Sequence, residues 1–143
     1  DKCYVESVDL GEAAPRTVVS GLVPFMPAEA LAGKRAVLVC NLKAAKVRGI
    51  ESQAMVLAAS NADHTVAEIL VPPEGAMVGE RITFEGFVGD AAAPNVVSKK
   101  KLWEAIVGEL RTDEGCVATW GGIPFMTLAG PCRVATQAQA TIK

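Results

Sequence analysis

Asn41-Leu42-Lys43-Ala44-Ala45-Lys46-Val47-Arg48-Gly49-Ile50-Glu51-Ser52-Gln53-Ala54-Met55 joins two strongly apolar runs, residues 35–40 and 54–59. It sets Lys43, Lys46 and Arg48 ahead of its first acid, Glu51, and then offers Ser52, Gln53 and Met55. The flanking runs read as strands, so the stretch reads as an exposed basic connector leading into a strand. Cations so placed can hold phosphates, while a hydroxyl, an amide and a soft apolar side chain can meet bases or backbone. A solvated, positively charged loop has the same composition, and charge alone favours that plainer reading.

The charge around the stretch is more telling than the total. The net charge is −2, which by itself argues against a partner of nucleic acid. Yet residues 30–50 hold five cations (Lys34, Arg35, Lys43, Lys46, Arg48) and no acid, while the rest of the chain sets nine cations against sixteen acids. A basic island on an acidic body fits a directed electrostatic site better than a general polyanion sponge.

Working outward, residues 4–10 alternate with period two and read as a half-buried strand; residues 16–23 read as a second, with Gly21 at a bulge or bend. Residues 27–31 fit one helical turn, residues 35–40 a central strand, and residues 53–60, 66–71 and 81–84 three more strands. Short strands at close spacing with Gly and Pro turns predict a small closed barrel. The pattern changes after Phe87. Residues 89–95 are linker-like, and apolar residues at 102, 103, 106, 107 and 110 predict a helix with Trp103 in the core. Gly121-Gly122 between two β-rich runs predicts a hairpin, and residues 132–135 a last short strand. The boundary falls between residues 84 and 92, giving units 1–87 and 88–143.

The 143 residues suffice for one ordinary domain with a small appendage, and no run approaches the roughly 20 apolar residues of a membrane span. The opening residues read as the middle of a strand, as in a piece cut from a longer chain. Cys3, Cys40, Cys116 and Cys132 form no C-x-x-C pair, which argues against zinc. Cys40 and Cys116 read as buried thiols, and a reducing cytosol is the better fit, with disulfides left open. No catalytic constellation emerges: the single histidine, His64, sits in a polar turn, and only Asp113-Glu114 pair their carboxylates in sequence. The residues alone describe an all-β, noncatalytic binding module with a basic loop.

Five segments resemble one family. Residues 17–23 resemble its T-V-V-S-G-L-V strand, residues 41–55 its N-L-K-P-A-K-M-R-G-V-x-S-Q-A-M, and residues 79–84 its G-D-R-I-T-F. Residues 99–103 resemble K-K-K-x-W and residues 116–119 C-V-A-T. The chain is identified by these motifs as similar to the tRNA-binding domain of the endothelial monocyte-activating polypeptide II (EMAP II) type. That domain also ends animal tyrosyl-tRNA synthetase, some methionyl-tRNA synthetases and multisynthetase-complex scaffold proteins. The resemblance implies a five-stranded OB-fold barrel that binds tRNA by shape, and a C-terminal helix-plus-hairpin extension mimicking a dimer interface. It further implies a cytoplasmic monomer whose partners are tRNA and aminoacyl-tRNA synthetases, with no cofactor, metal or membrane. By motif position it assigns tRNA binding to Asn41, Lys43, Lys46, Arg48, Ser52, Gln53 and Met55. Ala44 stands where the family has proline, and the family's first strand has no counterpart in this sequence. A protein-interaction module for synthetase assembly and a secreted cytokine-like fragment are the alternatives.

Overall fold

The computed structural model describes residues 2–143. In chain order its elements are β1 (Tyr4–Val8), β2 (Arg16–Ser20), α1 (Ala28–Leu31), β3 (Leu38–Val39), β4 (Ala45–Val47) and β5 (Ile50–Ser52). Then come β6 (Met55–Val56), β7 (Ala58–Ser60), β8 (Ala67–Ile69), α2 (Pro94–Lys99) and α3 (Leu102–Ile106), continued by a 3₁₀ turn at Val107–Glu109. β9 (Leu110–Thr112), β10 (Ala118–Trp120), β11 (Ile123–Pro124), β12 (Met126–Thr127), β13 (Gly130–Pro131) and β14 (Thr141–Ile142) complete the chain. The result is β-rich with a few short helices, as the alternating apolar pattern implied.

The largest sheet has six antiparallel strands in the order β11-β10-β9-β14-β7-β8. It draws β7 and β8 from the first half of the sequence and the other four strands from the second. The core is shared in the same way: Val37, Leu57 and Leu70 pack with Leu110, Phe125 and Ile142 in one buried cluster. β1 and β2 form a separate antiparallel pair from Tyr4↔Ser20 to Val8↔Arg16. The turn after β1 is held against the loop before residue 80 at Gly79, where a Cβ would stand 2.3 Å from the Leu10 carbonyl oxygen at φ +80°. Only glycine fits so close a backbone approach.

Several sequence expectations are met. Residues 4–10 and 16–23 contain β1 and β2, and the helical turn at 27–31 is α1. Gly121 and Gly122, at φ 55° and 84°, link β10 to β11. Two consecutive left-handed residues are the hallmark of a tight hairpin turn whose twist matches its strands.

Others are corrected. Residues 81–84 form no strand; Thr83 and Phe84 make only isolated bridges, to Met126 and Phe87. The helix predicted over 102–110 ends at Ile106, and Leu110 begins β9 instead, buried at 3% exposure. Its apolar spacing was real but served a strand that starts one 3₁₀ turn later. Residues 132–135 do not close the sheet: Arg133 makes bridges to Val71 and Val117, while β14, unread in the sequence, lies between β9 and β7. A two-residue strand is too short for a periodic signal. Cys40 and Cys116 are only half-buried, and Cys132 is the fully buried thiol, its pKa pushed up to about 11 by burial. The cysteines are all free.

Candidate nucleic-acid interface

The basic stretch is itself a β-hairpin, not an irregular connector. Ala45 pairs with Ser52, Lys46 with Glu51 and Val47 with Ile50. Arg48 and Gly49 make the turn at φ 51° and 81°. The sequence hid this because most of the hairpin is exposed: Ala45, Lys46, Ile50 and Glu51 meet solvent and only Ser52 at its base is buried, which is too little to impose alternation. Lys43, Lys46 and Arg48 are exposed along this projection.

The hairpin is bound to the body by side chains acting as a sheet ladder. The Ser52 hydroxyl accepts from the Val19 N–H and donates to the Ala54 carbonyl, both at 2.9 Å. Gln53 Oε1 accepts from the Thr17 N–H, and the Gln53 N–H donates to the Thr17 carbonyl, both at 2.8 Å. Two N–H groups of β2 are thus satisfied by a serine and a glutamine where a strand would otherwise be needed. Ser52 is 8% exposed with its hydroxyl committed in both directions, so it faces inward. Gln53 is exposed. Met55 is half-buried, pairs with Val39 and packs on the core. Asn41 Nδ2 donates to the Ala92 carbonyl at 3.0 Å, joining the foot of the hairpin to the segment before α2.

Arg16 is the residue that sequence reasoning missed. Its Nη1 donates to the carbonyls of Cys40 (2.7 Å) and Gln53 (2.9 Å), one on the chain leading into the hairpin and one on the chain leaving it. Its Nε and Nη2 donate to the two carboxylate oxygens of Glu12 at 2.8 and 2.9 Å. The bidentate pair lowers the Glu12 pKa and raises that of Arg16. A guanidinium fork fits this fourfold task, which an ammonium cannot perform. The signal available in sequence was an arginine four residues after a glutamate at the start of a strand, too common to stand out.

The arrangement therefore presents three cations on a projecting hairpin whose feet are fixed at Arg16, Ser52, Gln53 and Asn41. Residues 1–81, the hairpin included, match the family model described as "Putative tRNA binding domain". The chain belongs to this tRNA-binding domain family. The domain is 51% identical, over its whole length, to 46% of the mouse aminoacyl tRNA synthase complex-interacting multifunctional protein 1. It is 46% identical, again over its whole length, to 18% of the cytoplasmic methionine–tRNA ligase of Arabidopsis thaliana. It thus spans less than half the length of these curated relatives. The crystal structure of the C-terminal domain of Plasmodium vivax p43 superposes with a TM-score of 0.89 at 28% identity, covering all of this chain and 86% of that one.

Proposed function

We propose that this domain binds tRNA through the β4–β5 hairpin as a noncatalytic module that assists an aminoacyl-tRNA synthetase. The observation that carries the reading is the hairpin itself: Lys43, Lys46 and Arg48 projected from a rigidly anchored base, on an otherwise acidic body. The lysines and arginine neutralise phosphates, and Gln53 and Asn41 offer amide groups at the foot of the hairpin. Ser52 contributes by fixing the geometry, and Met55 by filling the seam beneath it. The site has few groups that read base edges, so recognition follows the shape of the RNA.

The two units expected at 1–87 and 88–143 act as a barrel of the OB type and an extension docked on it in the manner of a dimer contact. The shared core of Leu57, Leu70, Leu110 and Phe125 supports the docking of the two units, as does the joint six-stranded sheet. We place the domain in the cytoplasm, in line with the cytoplasmic relative and the four free thiols. The test is nitrocellulose-filter binding of tRNA by wild type and Lys46→Ala over a salt series. Lys46→Ala is expected to weaken binding and flatten the log K against log salt slope by about 0.7–0.9. An unchanged affinity and slope would remove Lys46 from the interface.

A second reading has its own observation. Met77, Val78, Phe87, Val88 and Leu128 are large apolar side chains left exposed, Val88 and Leu128 almost wholly. Apolar surface of this kind suits contact with a protein partner, such as a synthetase. Alanine at Val88 and Leu128 should then reduce synthetase co-purification without changing tRNA affinity.

A further inference from the structure

Residues 30–50 are not the molecule's only acid-free concentration of cations. Between Asp90 and Glu104 the chain holds Lys99, Lys100 and Lys101 and no acid. All three are exposed, and among the described residues none makes an ion pair. Together with residues 30–50 this run accounts for eight of the fourteen cations; six remain against all sixteen acids. The rest of the surface therefore repels a polyanion, and these two islands are where it can be received.

The backbone sets the lysines at a corner. α2 ends at Lys99, Lys100 follows as its cap, and Lys101 takes a left-handed conformation (φ 52°, ψ 44°) before α3 begins. Among the described residues Arg48, His64, Cys116 and Gln139 share a positive φ, so at Lys101 it serves to turn the chain sharply from α2 into α3. The corner also lies near the hairpin. The Asn41–Ala92 hydrogen bond joins the chain two residues before Lys43 to the chain two residues before α2. At 1.5 Å per residue α2 is about 9 Å long, and the two residues from Ala92 to Pro94 add up to about 7 Å, so its far end stays within roughly 16 Å of that junction. Val97 is the one buried residue of α2, so that helix is anchored through it while Lys99 and Lys100 stay in solvent.

We propose that Lys99, Lys100 and Lys101 form a second phosphate-contacting cluster, extending the tRNA footprint from the hairpin to the α2–α3 corner. This rests on the tRNA reading above. The cluster lies beyond the 1–81 match, so it is an addition of the second half of the chain to the interface.

The test compares four proteins in filter binding of unfractionated tRNA from low to high salt: wild type, Lys46→Ala, the double variant Lys99→Ala/Lys100→Ala, and the triple variant Lys99→Arg/Lys100→Arg/Lys101→Arg. The double variant leaves the left-handed Lys101 untouched, and its melting temperature should match wild type. It is expected to lose several-fold in affinity at low salt and to flatten the salt slope by about 0.7–0.9 per lost contact, while the arginine variant keeps the wild-type slope. A double variant indistinguishable from wild type, with Lys46→Ala weakened, would overturn the second cluster and leave the hairpin reading standing. No tRNA retention by wild type would overturn both. If the double variant kept its tRNA affinity but lost retention on phosphatidylserine vesicles, the lysines would belong to a lipid surface and the proposal would fail.

Discussion

At the scale of single residues, the hairpin separates side chains that hold it from side chains that serve it. Ser52→Ala leaves the Val19 N–H without its acceptor and should destabilise the fold by about 1–3 kcal/mol in urea unfolding. Lys46→Ala touches no buried group and should leave the unfolding midpoint unchanged while lowering tRNA affinity. Glu68 offers a pH test. Burial pushes its carboxyl up, but the Thr136 hydroxyl and the N–H groups of Thr136 and Gln137 outweigh that and hold it below its ordinary 4.5. A carboxyl held low in the fold stabilises above its unfolded pKa and loses that contribution as pH falls through the folded value. Wild type should therefore lose stability below about pH 4.5 more steeply than Glu68→Gln, as thermal melts over a pH series would show. Lys43, Lys46 and Arg48 were legible in the sequence because charge needs no partner to be seen. The inward role of Ser52 was not, because its partner Val19 is 33 residues away and is identified only by the fold.

At the scale of elements, the hairpin depends on its turn and its clasp. Gly49 sits at φ +81° with nothing near its missing Cβ, so alanine there meets strain alone. Gly49→Ala should cost about 1 kcal/mol, read by unfolding, and Gly49→Val more, because a β-branched residue resists the left-handed region. Arg16→Lys keeps the charge but cannot span Glu12, Cys40 and Gln53 together; it should lower tRNA affinity and speed amide exchange in residues 45–52. Equal exchange in both proteins would show that Arg16 does not organise the hairpin. The strands that bury a face, β1 and β2, were readable from alternation, and the Gly121-Gly122 hairpin from its turn chemistry. β4 and β5 were missed because all their residues but Val47 and Ser52 are exposed, too few to impose alternation, and β14 because its place is set by β7 and β9 from distant parts of the chain.

At the scale of the whole molecule, one core draws on both halves of the chain, so neither half should hold its structure alone. Phe125, at 4% exposure and 4.9 Å between ring centroids from Phe84, stands at that junction. Phe125→Ala should cost about 3–5 kcal/mol and loosen both halves in a single cooperative transition. The extension proposed to imitate a dimer contact predicts a monomer in sedimentation equilibrium across micromolar concentrations, and a stable dimer would reverse that part of the account. The claim at the centre, that a basic hairpin on an acidic body receives tRNA by shape, is tested most directly by competition. Several unrelated tRNAs and a DNA duplex of similar charge are titrated against the same labelled tRNA at fixed moderate salt. The account predicts that the tRNAs compete alike and the duplex competes much more weakly; strong preference for one tRNA, or a duplex that competes as well as tRNA, would contradict it.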